Sequence, residues 1–365
     1  TAVHAPPPPA INALPERFDG GRTVLTPRAF ARDGPISARG PPAHSTAQLV
    51  HLTPADLGDG PVKFAWKPGG EYFATLSYKD NQCALQLWTR TGARVRSHVL
   101  ARSKPSSVEW DSAGQVLAML TESDGVFIWE TGNGFEGEPA RLAPRQTARA
   151  TFCTWAITHP QLAIGTVDGR AMVYSHAERA LHVHMRKGSV SAPVLCGAWL
   201  PDNRLGLASS VRLKVSRPMD PARPSWETEY AVKLRGLGSK VPRHIRTAGE
   251  PCAMAFAPSE EPFAALQWGA KYVITHDVTG GREELGLTFP EDYGAVSGFG
   301  WMRDNLLLVG LVSGYVVTVD FPALVTLQET GQLPNSIAAM GTTQVFNGYL
   351  SDVHCAPSDG KVACC

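Results

Sequence analysis

The chain has 365 residues, of which 43% are hydrophobic, and its formal net charge is +1. A chain of this length can bury a large core, and the balanced charge excludes the strongly basic surface typical of nucleic-acid-binding proteins. No apolar run reaches the ~18 residues of a transmembrane helix. The seven cysteines are an odd number without a CxxC pair, which favours buried, reduced thiols in an intracellular protein.

Residues 1–45 differ in composition from the rest of the chain. They contain nine prolines, including the run Pro6-Pro7-Pro8-Pro9, together with five arginines and few aromatic residues. Such a segment cannot bury enough apolar surface to offset the entropy that ordering costs. The sequence therefore predicts a disordered segment over residues 1–45. No signal peptide is visible in it, and because the chain begins with Thr1 we expect it to start inside a longer reading frame or after processing.

A repeat occupies residues 46–365. Each unit has a short strand that ends in an aromatic residue, then a polar turn, an apolar strand, a tight turn and a third strand. The repeated aromatic residue is the last of each first strand: Trp66, Trp110, Trp155, Trp199, Phe256 and Trp301. A seventh unit starts with LSDVHC and KVACC, with Cys355 in the aromatic position. The intervals between equivalent positions are 44, 45, 44, 57, 45 and 54 residues, and a four-stranded propeller blade needs about 40–45 residues.

The pattern predicts an all-β fold, a seven-bladed WD40-type β-propeller whose seventh blade is incomplete in this chain. Asp-Gly and Ser-Gly pairs, such as Asp124-Gly125 and Asp168-Gly169, supply the positive φ of tight hairpin turns. The six aromatic residues should occupy equivalent buried positions between neighbouring blades. The two long intervals predict inserted loops near 217–248 and 322–349, outside the blade core.

The sequence also predicts how the ring closes. The segment Gln48–Leu52 fits the outer strand of blade seven, which would join the two ends of the chain. The third strand of that blade is missing after Cys365, so we expect the natural protein to continue. The fragment should then be less stable and more prone to aggregate than a longer one, because an exposed strand edge favours association.

The sequence predicts no catalytic, cofactor-binding or metal-binding residues. His182 and His184 lie on one face of an expected outer strand, but nothing at short spacing completes a zinc site. The first strands carry Lys63, Glu109 and Thr154, with no reactive residue that recurs from blade to blade as a propeller hydrolase would need. The basic stretch Lys233, Arg235, Lys240, Arg243, His244 and Arg246 is interpreted as a solvated loop, with contact to an acidic partner as the alternative.

Four segments, taken in chain order, resemble one known family. They are VKFAWKPGGEYFATL, SSVEWDSAGQVLAMLTESDGVFIWE, LAIGTVDGRAMVYSH and DYGAVSGFGWMRDNLLLVGLVSGYVVTVD. They resemble the N-terminal propeller of the WD repeat-containing protein 19 family, subunits of intraflagellar transport complex A. The resemblance covers roughly residues 46–365. Residues 1–45 do not resemble the family's start, and the loop between units four and five is more basic and richer in proline than expected.

The resemblance implies a scaffold or cargo adaptor in retrograde ciliary transport and in the entry of membrane proteins into the cilium. The implied partners are other subunits of complex A, adaptors of ciliary membrane-protein cargo and retrograde dynein trains, without nucleic acid or direct membrane insertion. The implied location is the cilium or flagellum and the basal body, on the cytoplasmic side. The alternative is another WD40 adaptor, either a substrate receptor of a ubiquitin ligase or a chromatin peptide reader.

Overall fold

The computed structural model describes residues 16–18, 22–25, 52–58, 60–185, 192–220, 223–234, 250–258, 263–289, 293–302, 305–321, 340–345, 350, 353–356 and 361–364. Before the repeats begin, it contains the strands β1 (Glu16–Phe18) and β2 (Arg22–Leu25) and one helical turn, α1 (Pro54–Leu57). Within the described part of the chain, no helix has the length and apolar character needed to cross a membrane.

Six four-stranded antiparallel blades follow, each built from strands that are consecutive in the chain. Blade one comprises β3 (Val62–Trp66), β4 (Tyr72–Lys79), β5 (Gln82–Thr89) and β6 (Arg94–Ala101). Blade two comprises β7 (Pro105–Trp110), β8 (Val116–Thr121), β9 (Gly125–Glu130) and β10 (Ala140–Arg141). After the helical turn α2 (Pro144–Thr147), blade three comprises β11 (Ala150–Trp155), β12 (Gln161–Thr166), β13 (Ala171–Ser175) and β14 (Ala180–Met185).

The second half of the chain repeats this plan. Blade four comprises β15 (Cys196–Trp199), β16 (Leu205–Ala208), β17 (Arg212–Asp220) and β18 (Arg223–Lys233). Blade five comprises β19 (Pro251–Phe256), β20 (Phe263–Trp268), β21 (Tyr272–Asp277) and β22 (Arg282–Thr288). Blade six comprises β23 (Val296–Trp301), β24 (Leu306–Leu311), β25 (Tyr315–Asp320) and β26 (Met340–Gln344). A two-stranded hairpin of β27 (Val353–Ala356) and β28 (Lys361–Cys364) ends the fold.

The first strands of the blades are innermost. Each lies against the first strand of the next blade, in the order β3, β7, β11, β15, β19 and β23. Strand β27 lies against both β23 and β3, so it completes the circle. The chain is therefore an all-β propeller, in which stacking around an axis hides blade faces that no single blade could hide alone.

The predicted count of seven blades is wrong for the structure as described, which has six four-stranded blades. The position after blade six is taken by the hairpin β27–β28, because the last unit supplies only two strands between residues 353 and 364. Of the expected closing strand at 48–52, only Leu52 is described. It lies outside any strand and packs beside Leu57 and Phe73 of blade one.

The two insertions differ from the predicted loops. Much of the first is regular: β17 and β18 are strands of 9 and 11 residues that pair as one long hairpin. Residues 235–249 lie outside the described residues, and so do 322–339. Because β26 at 340–344 pairs with β25, the second insertion separates the third and fourth strands of blade six and does not follow the blade.

Residues 1–45 also carry some structure. Strand β2 adds in parallel to β22, the outer strand of blade five, and β1 pairs with β2. The rest of the predicted disordered segment lies outside the described residues, and the division into a segment 1–45 and a propeller 46–365 stays a prediction.

Close packing between blades depends on two glycines in the second strands. A Cβ added at Gly206 in blade four would lie 2.5 Å from the Phe256 ring of blade five, and one at Gly310 in blade six would lie 2.2 Å from the side chain of Val353 in β27. Both distances are far below van der Waals contact, so only glycine lets these neighbours approach so closely. The hairpin thus packs on blade six much as blade five packs on blade four.

Candidate interaction surfaces

The propeller has two faces with different connections. Because consecutive strands of a blade are antiparallel, the turns between second and third strands fall on the same face as the connections between blades; we call this the upper face. On it, the backbone N–H of Glu122 donates to the Lys104 carbonyl (3.0 Å), and that of Val167 donates to the Arg149 carbonyl (3.1 Å). The lower face carries the other turns, where the N–H of Arg90 donates to the Glu71 carbonyl (2.7 Å). The predicted turn glycines Gly125 and Gly169 have φ values of 81° and 79°.

The repeated aromatic residues form the contacts between blades. Four are buried, with exposed fractions of 3–5%: Trp110, Trp155, Trp199 and Trp301. The prediction that all six are buried is wrong for Trp66 and Phe256, which are only half-buried. Trp66 belongs to blade one, where it packs with Leu52 and the cluster around Trp88. Phe256 lies over Gly206 of blade four.

Three of these tryptophans also link neighbouring blades by a hydrogen bond. The indole N–H of Trp110 donates to the Ala65 carbonyl (3.2 Å), that of Trp199 to the Thr154 carbonyl (3.0 Å), and that of Trp301 to the Ala255 carbonyl (3.2 Å). In each case the acceptor is the residue just before the aromatic position of the preceding blade. The recurring bond gives the repeated aromatic residue a structural role between neighbouring blades.

Two of the singled-out polar residues of the first strands meet between blades two and three. The Thr154 hydroxyl donates to Glu109 Oε1 (3.2 Å), and the backbone N–H of Trp155 also donates to this carboxyl group. Burial raises the pKa of Glu109 to about 7, against the lowering effect of both hydrogen bonds. Nearby, Ser107 Oγ and Cys153 Sγ are 3.7 Å apart. Burial, together with the Glu109 charge, raises the pKa of Cys153 to about 12, so its thiol stays protonated at neutral pH.

The outer strand of blade three contains the two histidines considered for zinc. His182 lies in β14, as predicted, and its Nε2 is 3.0 Å from Glu178 Oε2. The side chain of His184 is outside the described part. In the described part of the chain, no three histidine, cysteine or acidic side chains come close enough together to hold a metal ion, and the absence of a metal stays a prediction.

The structure describes the side chains of four cysteines, and these four have free thiols. Cys83, Cys153 and Cys196 are buried, as predicted from the sequence, whereas Cys252 is exposed. Burial raises the pKa of Cys83 to about 12. Cys252 begins blade five in the innermost strand, and its thiol lies 3.6 Å from the Gly269 carbonyl on the upper face.

The charged surfaces of blades one to three differ between the two faces. On the lower face the exposed carboxylates outnumber the exposed cations; they are Glu71, Glu130, Glu136, Glu138 and Glu178. On the upper face the reverse holds, since Arg102, Lys104, Arg145 and Arg149 are all exposed. Of the predicted basic stretch, only Lys233 is described, at the end of β18; its other residues lie outside the described ones. The sequence analysis did not identify these four cations as a group, although all of them fall in the connections that precede first strands.

The comparisons with known proteins agree with this architecture. The family model described as the WDR19 first beta-propeller matches residues 62–365, which includes all six blades and the final hairpin. WD repeat-containing protein 19 of Homo sapiens is 22% identical over 293 residues, which are 79% of this chain and 20% of the relative. The protein of the same name from Mus musculus is 21% identical over 267 residues, covering 72% and 18% of the two chains.

A nematode relative extends the same match. WD repeat-containing protein dyf-2 of Caenorhabditis elegans is 22% identical over 276 residues, covering 72% of this chain and 18% of the relative. The chain therefore spans about a fifth of the length of the curated relatives it matches. With the family model matched across six blades and the hairpin, the chain belongs to the WDR19 first beta-propeller family.

Proposed function

We propose that this chain is the first propeller of a non-catalytic scaffold and cargo-adaptor subunit of intraflagellar transport complex A. It would act in retrograde ciliary transport and in the ciliary entry of membrane proteins. The observation that carries the proposal is the family match over residues 62–365. The partners we propose are other subunits of complex A, adaptors of membrane-protein cargo and retrograde dynein trains, without nucleic acid or membrane insertion. The proposed location is the cytoplasmic side of the cilium or flagellum and its basal body.

A binding role fits the chemistry of the ring. Two of the singled-out first-strand residues, Glu109 and Thr154, meet, and their hydrogen bond joins two blades. The recurring groups of the first strands are aromatic and link one blade to the next. Function in such a fold comes from its surfaces, since a rigid disc with two faces offers several docking areas at once.

We also propose that the hairpin β27–β28 begins a seventh blade. Support comes from its place in the ring, against β23 and β3, and from the seating of Val353 on Gly310. Like the contact between Phe256 and Gly206, this contact joins the first strand of one unit to the second strand of the preceding blade.

The test is affinity purification of the tagged full-length protein from ciliated cells of its source organism, with mass spectrometry of the proteins that copurify. The control is the same protein without residues 62–364. We expect the subunits of complex A to copurify with the full-length protein, and their recovery to fall when the propeller is deleted. Recovery of a ubiquitin ligase or of chromatin proteins in their place would overturn the proposal in favour of another kind of WD40 adaptor.

A further inference from the structure

A cluster of exposed cations lies on the upper face, in the connections that join blades one, two and three. Arg102 and Lys104 lie in the connection from blade one to blade two, and Arg145 and Arg149 lie in and after α2, between blades two and three. All four are exposed, and none has a carboxylate within 4.0 Å among the residues that the structure describes. We call these four residues the basic patch.

The two halves of the basic patch belong to one continuous surface, because both connections pack on the same turn of blade two. That turn, residues 122–124, donates two hydrogen bonds on one side, from the Glu122 N–H to the Lys104 carbonyl (3.0 Å) and from the Ser123 N–H to Ser103 Oγ (2.8 Å). On the other side, the helical turn α2 packs so closely that a Cβ at Gly125 would lie 2.5 Å from the Thr147 carbonyl oxygen. The two connections that carry the four cations therefore contact the same turn of blade two.

Neighbouring carboxylates do not neutralise the basic patch. Asp124 is 3.7 Å from the Arg141 guanidinium, and Asp168 is 2.8 Å from that of Arg170. These two carboxylates are thus already balanced by cations outside the patch. Glu122 and, in the turn between the second and third strands of blade one, Asp80 are the remaining exposed carboxylates on the described part of this surface, so the four unpaired cations outnumber them two to one. On the lower face of the same blades the exposed carboxylates outnumber the exposed cations. The two faces of the disc therefore differ in charge.

We infer that the basic patch docks an acidic peptide segment of a partner protein, an inference that rests on the proposed role of the propeller as a scaffold. Complementary charge guides a partner to the correct face and raises the rate of association. A bilayer fits this surface less well, because Asp124, Asp168 and Glu122 are interspersed among the cations. Moreover, the exposed large apolar side chains of the described residues lie elsewhere: Val99, Ile157, Val183, Val211 and Met219. The surface thus offers cations at defined places without an apolar group to enter lipid.

The experiment measures binding of a fluorescein-labelled 12-residue Glu/Ser peptide to the full 365-residue chain by fluorescence anisotropy. The test variant carries Lys104→Gln, Arg145→Gln and Arg149→Gln. The matched control carries Arg90→Gln, Arg94→Gln and Arg96→Gln, which removes the same charge from exposed residues of blade one. We expect about ten-fold weaker binding for the test variant, because each lost cation removes a few tenths to 1 kcal/mol of binding free energy. The affinity of the control should change less than two-fold. Binding of the unchanged chain should weaken as salt rises.

A further variant separates charge from folding. Glu122→Gln removes the unpaired carboxylate of the turn on which both connections pack and should tighten peptide binding about two- to three-fold, a gain that a misfolded protein could not produce. The inference is overturned if the peptide does not bind, if both triple variants lose the same affinity, or if phosphatidylserine vesicles or a single-stranded oligonucleotide bind through the patch while the peptide does not. Peptide binding without copurification of complex A would refute only the proposed function, whereas the reverse result would refute only this inference.

Discussion

The carboxyl group of Glu109 should make the stability of the propeller depend on pH. Its pKa is raised from 4.5 to about 7 by burial, so the folded state binds the proton more tightly than the unfolded chain. Stability from this group is therefore full below about pH 4.5 and is lost as the pH rises through 7. A rise of that size corresponds to about 3–4 kcal/mol at about 1.4 kcal/mol per pKa unit. Replacing Glu109 by Gln keeps an acceptor for the Thr154 hydroxyl but removes the charge.

Urea denaturation of the wild-type chain and of Glu109→Gln at several values between pH 5 and pH 8 measures the effect. We expect the variant to gain about 2–3 kcal/mol on the wild type over this range, with the advantage greatest at pH 8. The control is Glu138→Gln, since Glu138 is exposed on the lower face, and its difference from wild type should stay constant. Parallel curves for wild type and Glu109→Gln would show that the carboxyl group is solvated, and the account of the contact between blades two and three would fail.

Three other substitutions or probes test the packing of the ring. Trp199→Phe should lower the free energy of unfolding by about 1 kcal/mol more than Trp155→Phe. The reason is that the indole N–H of Trp199 donates to a carbonyl, whereas that of Trp155 has no partner in the described structure. Equal losses in urea denaturation would contradict the recurring bond. Gly310→Ala should cost about 1–3 kcal/mol by overpacking against β27, and limited proteolysis should then cut first near the hairpin; cuts elsewhere would refute that seating. Iodoacetamide at pH 8, followed by peptide mass mapping, should label Cys252 before the three buried thiols, and equal labelling would show that the blades open.

The first three strands of each blade could be predicted from the sequence because they are apolar and meet at glycine turns. In β8 every residue is buried, and the turn that follows ends at Gly125 with its positive φ. Apart from β14, where an outer strand was expected at His182 and His184, the fourth strands could not be identified in this way, since they form the outer edge. β6, for example, carries exposed Arg94 and Arg96, and its pattern does not differ from that of a solvated loop. The same lack of apolar signal hid the long hairpin of β17 and β18 within an expected insertion.

The contact between Glu109 and Thr154 was hidden for a different reason. The two residues were noted separately as polar members of first strands, 45 positions apart. Both directly precede the aromatic residue of their unit, so the regular interval places them at the same level of adjacent blades. The level at which the two residues meet could therefore be predicted from the sequence. The side-chain conformations that form the hydrogen bond could not. Burial, which raises the pKa of Glu109, also depends on the neighbouring blade.

The proposed role in retrograde transport is tested most directly by movement inside the cilium. Cells of the source organism that lack the full-length protein would be given either the intact protein or one without residues 62–364, and fluorescent transport particles would be followed by kymography. We expect the intact protein to restore retrograde movement, and the deleted protein to leave particles accumulated at the ciliary tip. Normal retrograde frequency and speed without the propeller would contradict the account.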